Sequence, residues 1–166
     1  MTLEVKDLGI GKLRAQLARL SKLDVFVGIQ GEEARQPHPN ADATIGQVAV
    51  WNHAGTEDIP ARPFIDHGIS LVKDKTREVA KKAIRALIDR RAATAEEALV
   101  PMGEMGAAAV REAIDTSREW AEPLAESTAR RKGHDQPLLD TGTVRDSVTY
   151  EVRDGNEVLK RGTGLE

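Results

Sequence analysis

The sequence predicts an α+β fold in which a small, mostly antiparallel sheet packs with one or two long helices. Residues 64–91 repeat apolar side chains at three- and four-residue intervals for roughly six turns, which is typical of a long amphipathic helix. Two short β-branched segments, at 24–29 and 147–152, are typical of strands. Either Asp154-Gly155 or Gly155-Asn156 then indicates a tight hairpin turn into a last short strand.

The amino-acid composition limits the classes of protein to which the chain can belong. With 166 residues, of which 40% are hydrophobic and 31% charged, the chain suits one packed domain over residues 1–166. Aromatic residues make up only 3%, so we expect a core of Ala, Val, Leu and Ile, and no large aromatic-lined ligand pocket. Cysteine is absent, which excludes disulfides, thiolate metal sites and a cysteine nucleophile.

The net charge and the hydropathy pattern limit the kinds of partner that we expect. The net charge of −3 argues against nonspecific binding to nucleic acid. No apolar run reaches the roughly 20 residues of a membrane-spanning helix, and the amino terminus has no apolar run of signal-peptide length. We therefore expect no membrane association.

The amino-terminal part is expected to contain a helix, a strand and a loop. Apolar residues at helical spacing predict a helix over 10–21, and the β-branched run at 24–29 predicts a buried strand. Residues 31–43, rich in proline and charge, predict a mobile loop. His38 in this loop has no second histidine at helical spacing, so we interpret it as a solvated side chain and expect no metal site.

The stretch from 46 to 66 concentrates rigid and bulky residues at one junction. Thr44 is placed to cap a helix over 45–53, and Gly55 is placed to end it. Residues 59–64 must be extended, because a residue that precedes proline avoids the α region.

We interpret this junction as a rigid corner used in assembly. Trp51 and Phe64 are expected to anchor the corner between the short helix and the long helix, and Pro63 suits the first position of the long helix. The flanking prolines are expected to hold Arg62 outward, where it pairs with a carboxylate of the same subunit or of a neighbour. Four corner candidates follow: Trp51, Arg62, Pro63 and Phe64.

The second long helix carries several small residues. Thr94 followed three residues later by Glu97 is a capping-box signature at its start. Pro101 is expected to bend the helix. Gly103 and Gly106 each cost about 1 kcal/mol of helix propensity, which implies a close neighbour in the same chain or in the next subunit.

The carboxyl-terminal part is expected to be less regular before its hairpin. Trp120 anchors a turn, and residues 124–132 predict a short helix that Gly133 ends. We interpret the basic end of this helix as charge that complements the helix dipole. Residues 147–152 alternate apolar with polar side chains, which predicts a half-exposed strand. We expect residues 153–166 to form a hairpin and a partly flexible tail.

One motif invites a catalytic interpretation. Asp140-Thr141-Gly142 has the form of the aspartic-protease triplet, in which two aspartates share a proton, and a homodimer would supply two such triplets. However, too few residues follow Gly142 for the rest of that fold, and the preceding chain is mostly helical. We favour a structural role, in which Asp140 or Thr141 caps a turn of helix and Leu139 packs on Val144. No other catalytic constellation is apparent, so we expect no enzymatic activity.

Two blocks of sequence together resemble a known group of proteins. The first block comprises Ala49-Val-Trp-Asn52, Gly55-Thr56 and Ile59-Pro-Ala-Arg-Pro-Phe64. The second block comprises Trp120, Pro123-Leu124, Thr128, Lys132-Gly133, Pro137-Leu-Leu-Asp-Thr-Gly142 and Ser147-Val-Thr-Tyr150. Their order and spacing are similar to those of neck or tail-completion proteins of long-tailed bacteriophages, including the Mu-type virion morphogenesis family and the family of the lambda minor tail protein Z. The chain departs from these families at 52–54, since they more often carry an aromatic residue just before Gly55.

The resemblance implies a non-enzymatic subunit of the virion tail or neck, assembled in the host cytoplasm. It implies a homo-oligomeric ring, expected to be six-fold, beside tail terminator, tail-tube or connector proteins. DNA would pass through the ring without sequence-specific binding. We therefore add Trp120, Asp140, Thr141 and Gly142 to the assembly candidates, with no catalytic residue, cofactor or metal.

Overall fold

A computed structural model describes residues 9–165 of the chain. In chain order its elements are α1 (Ile10–Leu20), β1 (Asp24–Gly28), α2 (Gly31–Arg35), α3 (Ile45–Ala54), α4 (Phe64–Ile88), α5 (Ala95–Asp115), α6 (Ser117–Trp120), α7 (Glu126–Lys132), α8 (Thr143–Asp146), β2 (Thr149–Asp154) and β3 (Glu157–Gly162). Two long helices and a small antiparallel sheet confirm the predicted α+β fold. Residues 1–8 and Glu166 lie outside the described residues. The expectations for the extreme amino terminus and for the last residue of the tail concern these residues.

The sheet has the strand order β1-β2-β3, and both neighbouring pairs are antiparallel. Asp154 of β2 lies opposite Glu157 of β3, at the turn of the hairpin. Between them Gly155 has a φ angle of 58°, in the left-handed region that a tight two-residue turn requires. The predicted hairpin turn is therefore confirmed, and of the two pairs considered it is Gly155-Asn156 that forms it.

Helix α5 lies on one face of the sheet, and two of its glycines set how closely it packs. A Cβ atom at Gly103 would overlap the ring of Tyr150 in β2. A Cβ atom at Gly106 would lie 2.8 Å from Cγ2 of Val27 in β1. The close neighbour implied by these glycines is therefore the chain's own sheet.

Helix α4 crosses α5 at a second close approach. A Cβ atom at Gly68 would lie 2.6 Å from the Cα atom of Val110 and 2.7 Å from the carbonyl oxygen of Ala109. Both are backbone atoms, so neither can rotate away from an added methyl group. Phe64 and Ile114, each 0% exposed, lie in the core with Val110. The start of α4 is therefore fixed on α5.

Side-chain caps confirm two predicted helix starts. The Oγ1 atom of Thr44 accepts a hydrogen bond from the backbone N–H of Gln47 at 3.2 Å, and Oε1 of Gln47 accepts one from the N–H of Thr44 at 2.8 Å. This reciprocal pair is a complete capping box at the start of α3. At the start of α5, the Oγ1 atom of Thr94 accepts a hydrogen bond from the backbone N–H of Glu97 at 3.2 Å. The Glu97 carboxylate accepts a hydrogen bond from the backbone N–H of Ala93 at 2.9 Å.

Two expectations for the amino-terminal part are corrected. The 31–43 segment is not a loop throughout, because residues Gly31–Arg35 form α2. Strand β1 is not buried, because it is an edge strand and only one of its faces meets α5. The side chain of Phe26 on the other face is 41% exposed, with the guanidinium of Arg153 lying 4.5 Å above its ring.

The expectation of a half-exposed β2 is also wrong. Thr149 and Glu151, the polar residues of the alternation, are 1% and 0% exposed. Strand β2 is central in the sheet, and the side chains of Arg153 and Arg161 both bind the Glu151 carboxylate and cover it. None of the described helices has the length and apolar character needed to cross a membrane.

Candidate functional site

A cavity of about 710 Å³ lies between α3, the extended segment before α4, α7, and the segment that joins α7 to α8. We call it the block cavity, because both sequence blocks contribute to its wall. The wall includes five of the candidates predicted from the sequence: Trp51, Arg62, Asp140, Thr141 and Gly142. Its volume is within the range of about 300–1,000 Å³ that is usual for binding pockets.

Arg62 joins the two blocks on the inner side of the block cavity. The residue is 4% exposed. Its Nε atom donates a hydrogen bond to the carbonyl oxygen of Glu122 at 2.7 Å, and its Nη2 atom donates to that of Pro123 at 3.1 Å. Burial lowers the pKa of Arg62, and the nearby charge of Glu122 opposes this effect. One guanidinium therefore holds two consecutive carbonyl groups, of which that of Pro123 belongs to the second block.

The expectation that Arg62 points outward to a carboxylate is wrong. The extended segment predicted over 59–64 ends earlier, because Pro63 has a ψ angle of 68° and Phe64 is the first residue of α4. Ala61 and Pro63 are exposed, while Arg62 and Phe64 are buried. Among the described residues, the Arg62 guanidinium forms no ion pair, and the two neutral carbonyl groups take the place of the predicted acid.

Lys132, at the end of α7, makes a similar connection on another part of the wall. Its Nζ atom donates hydrogen bonds to the carbonyl oxygens of Leu139 at 3.2 Å and Pro137 at 3.4 Å. Burial lowers the pKa of Lys132; the charge of Asp140 acts in the opposite direction, and the positive charge of Arg62 adds to the lowering. The segment after α7 is thus fastened to the end of its own helix.

The wall of the block cavity contains charged residues of both signs. Arg62 is buried and Lys132 is half-buried, and both bind neutral carbonyl groups. The acidic wall residues Asp58, Glu122 and Asp140 are all exposed. Arg131 is exposed in the same wall, so the outer part of the cavity carries charges of both signs.

Helix α3 presents apolar residues both to the core and to solvent. Ile45 and Ala49 are buried, whereas Val50 is 61% exposed and Trp51 is 39% exposed. Helix α3 therefore has an exposed apolar side, which continues into the cavity wall through Trp51.

The Asp140-Thr141-Gly142 triplet lies in the wall next to α8. Asp140 is exposed, and its Oδ2 atom accepts a hydrogen bond from Nδ2 of Asn40 at 3.0 Å. The Oγ1 atom of Thr141 accepts from the N–H of Thr143, the first residue of α8, at 3.3 Å. Gly142 between them has a φ angle of 82°. The N-cap position of α8 is Gly142 itself, without a side-chain cap, so the expectation that Asp140 or Thr141 caps this helix is wrong.

The remaining candidates do not line the cavity. Phe64 is buried with its ring against the edge of His53, at a centroid distance of 5.4 Å. Trp120 stacks on His67 at 4.1 Å, which attaches the start of the second block to α4. Pro63 is exposed and precedes the first residue of α4 instead of being that residue. These three residues position the corner through packing and backbone geometry.

Sequence reasoning missed Lys132 and Asn40 as wall residues. Lys132 follows Arg130 and Arg131 at the same basic helix end, and no local pattern distinguishes it from them. Residues 133–139 fold back over the end of α7, and this brings the carbonyl groups of Pro137 and Leu139 to Lys132. The sequence does not reveal this path of the chain. Asn40 lies in the 31–43 segment, and its partner Asp140 is separated from it by 100 positions.

No three or more His, Cys, Asp or Glu side chains are grouped to hold a metal ion within residues 9–165. His38 lines the block cavity, and its Nδ1 atom accepts a hydrogen bond from the N–H of Asn40 at 3.2 Å.

No protein-family model, curated protein or solved structure matches this chain. The structure defines an α+β protein with a cavity lined by charges of both signs. Because one fold serves many functions, the fold class by itself assigns none.

Proposed function

We propose that this chain is a structural virion assembly protein, a tail-completion or head–tail joining subunit that forms a ring at the phage neck or the head-proximal end of the tail. One observation carries the proposal: the two sequence blocks meet around the block cavity. Trp51 and Arg62 belong to the first block, and Arg62 binds the carbonyl group of Pro123 in the second block and that of the preceding Glu122. The motifs that resemble the tail-completion families therefore belong to one shared piece of structure.

The surface beside the cavity supports a role in assembly. Val50 and Trp51 expose apolar side chains next to a rim of charged residues. Apolar residues surrounded by a polar rim are typical of protein–protein contacts. In the proposed virion this face meets another subunit of a ring, expected to be six-fold, or a tail terminator, tail-tube or connector protein. DNA passes through the ring without sequence-specific binding, in keeping with a net charge of −3.

The proposal assigns no catalytic role to the Asp140 triplet. Asp140 lies between helices α7 and α8, whereas aspartic proteases place the triplet in a loop after a strand. Its carboxylate is exposed and bonded to Asn40, an arrangement that needs no second aspartate. The geometry of this loop therefore does not support the aspartic-protease alternative.

Two measurements on the full chain test the proposal. Native mass spectrometry and electron microscopy over a range of protein concentrations are expected to show a discrete ring of about six subunits. Incubation with purified tail tubes, followed by sedimentation, is expected to show the protein bound to the tube end. A chain that stays monomeric at every concentration and does not bind tail tubes contradicts the proposal.

A further inference from the structure

Strand β1 has one edge that no described strand pairs with. It is the first strand in the order β1-β2-β3, so β2 occupies only one of its two sides. In an antiparallel pair, every second residue directs its N–H and C=O groups away from the partner strand. Within residues 9–165, the backbone of residues 24–27 forms no hydrogen bond outside the sheet. The outer edge of β1 therefore offers a row of unpaired backbone donors and acceptors.

The two edges of the sheet differ in how they are protected against pairing. Edge strands usually avoid pairing through proline, lysine or a β-bulge. Strand β3 has such protection, because its pairing with β2 shifts register at the step from Val152 to Arg153, and it exposes Lys160 and Arg161. Strand β1 contains no proline, no lysine and no shift in register. Of these two edges, β1 is therefore the one suited to pair with another strand.

The side chain of Phe26 lies exposed on this strand. It is one of only two phenylalanines in the chain, and it is 41% exposed. The guanidinium of Arg153 lies 4.5 Å from the centre of its ring, which holds the ring on the face of the sheet that α5 does not cover. Aromatic side chains are enriched where proteins contact one another. Phe26 therefore adds apolar surface to the unpaired backbone edge.

We infer that β1 pairs antiparallel with β1 of a second copy, across a two-fold axis near Phe26. Two sheets of three strands then become one sheet of six. The contact is isologous, because both copies use the same surface, and each row of backbone groups meets an identical row in the opposite direction. The two Phe26 side chains lie on the same face, opposite or diagonal to each other, with their Cβ atoms within about 8 Å.

A second copy suits this edge in charge as well as in hydrogen bonding. Asp24 is the only charged residue of β1, and it lies at the beginning of the strand. With the two-fold axis near Phe26, antiparallel pairing places Asp24 opposite Phe26 or Gly28 of the other copy, and not opposite another acid. Like charges directly opposite each other destabilise a sheet, and this pairing contains none.

Cysteine cross-linking tests the contact directly, because the chain has no cysteine of its own. Under mild oxidation, the full chain with Phe26→Cys is expected to form disulfide-linked dimers about tenfold faster than the chain with Leu71→Cys, because pairing raises the effective concentration of the two thiols. Leu71 lies on α4 and is 44% exposed, so the control thiol is about equally accessible. Equal rates of cross-linking for the two variants overturn the inference.

A charge swap at Phe26 tests whether the two copies use the same surface. Phe26→Lys and Phe26→Glu each place like charges across the two-fold axis and are expected to weaken dimer association about tenfold or more. An equimolar mixture of the two variants places opposite charges across the axis and is expected to recover association to within about threefold of the unchanged protein. Analytical ultracentrifugation measures association, and circular dichroism checks that each variant is folded. The controls Leu71→Lys and Leu71→Glu are expected to leave association unchanged.

The inference goes beyond the proposed function and does not depend on it. Three two-fold pairs around a three-fold axis also make a ring of six copies, so the two can hold together. A chain that stays monomeric, or a folded mixture of Phe26→Lys and Phe26→Glu that does not recover association, overturns the inference.

Tail tubes separate the failure of the inference from the failure of the proposed function. If a monomeric chain binds purified tail tubes and Phe26→Lys abolishes that binding, the partner strand belongs to another protein; the inference is overturned and the proposed function stands. If dimers cross-link as expected but form no ring and bind no tail tube, the pairing of β1 stands and the proposed function is overturned.

Discussion

The Nε atom of Arg62 donates a hydrogen bond to the carbonyl oxygen of Glu122 at 2.7 Å, across 60 positions of sequence. This bond joins the extended corner before α4 to the turn that follows α6. The guanidinium is buried but remains well bonded, because Nη2 also binds the carbonyl oxygen of Pro123. The wall of the block cavity depends on this connection.

Arg62→Ala is expected to lower the free energy of unfolding by about 3 kcal/mol, because it leaves two carbonyl groups without their charged donor. Arg62→Lys keeps the charge but not the two-point geometry, so an intermediate loss is expected. Urea denaturation followed by tryptophan fluorescence measures both. Arg131→Ala, an exposed arginine of the same cavity wall, is the control and is expected to change stability by less than about 0.5 kcal/mol. Equal losses of unfolding free energy for Arg62→Ala and Arg131→Ala would show that the buried hydrogen bonds of Arg62 contribute no more than an exposed arginine does.

Gly68→Ala is expected to destabilise the protein by about 1–3 kcal/mol, although alanine is the better helix former. The added methyl group would meet the backbone of Val110 and Ala109, and the two helices would have to separate. Thermal unfolding by calorimetry measures the change. Gly11→Ala is the matched control in α1, since a Cβ atom there has no neighbour within 4 Å. That variant is expected to gain up to about 1 kcal/mol; a loss in Gly11→Ala as large as in Gly68→Ala would argue against the close crossing of α4 and α5.

Glu151→Gln is expected to cost about 3 kcal/mol at neutral pH, because Arg153 and Arg161 would lose their shared carboxylate beneath the sheet surface. Glu126→Gln, which removes an exposed acid 3.7 Å from Arg130, is the control and should change little. Chemical denaturation of the two variants gives the comparison.

The contribution of Glu151 should also depend on pH in a defined direction. Burial by itself would raise the pKa of Glu151, but hydrogen bonds from Arg161 and Arg153 outweigh it, and the pKa lies below its ordinary value of 4.5. A lowered folded-state pKa stabilises the protein above the unfolded-state pKa, and this stabilisation disappears as the pH falls through the folded-state value. The stability difference between the unchanged protein and Glu151→Gln is therefore expected to be constant above about pH 6 and to shrink below pH 4.5. A difference that grows on acidification would contradict this assignment.

Asp140→Asn is expected to leave stability within about 0.5 kcal/mol of the unchanged protein and to leave ring formation and tail joining intact. The asparagine side chain keeps an oxygen that can accept the hydrogen bond from Asn40. Native mass spectrometry and a tail-joining assay measure the outcome. Loss of tail joining in a folded Asp140→Asn protein, together with loss of a proteolytic activity, would restore the protease alternative.

The sequence by itself determined the elements whose signals are local. The apolar spacing after Phe64 predicts the long helix, because a helix with one buried side repeats its apolar residues regularly. Thr44 marks the start of α3, since a capping side chain acts on backbone groups only a few residues away. The hairpin turn around Gly155 is predicted for the same reason, because the backbone geometry of a tight turn selects the residues within it.

Only the tertiary structure decided which polar residues are inside. Glu151 alternates with apolar neighbours as if it faced solvent, and it is buried because β2 is central and arginines from two strands cover it. Arg62 is directed inward because its partners, the carbonyl groups of Glu122 and Pro123, are brought to it by packing far along the chain. The glycines at 103 and 106 predict that a neighbour is close, but only the packing of α5 on the sheet shows that the neighbour is the chain itself. Local chemistry determines local conformation, whereas burial depends on distant segments that converge only in the folded protein.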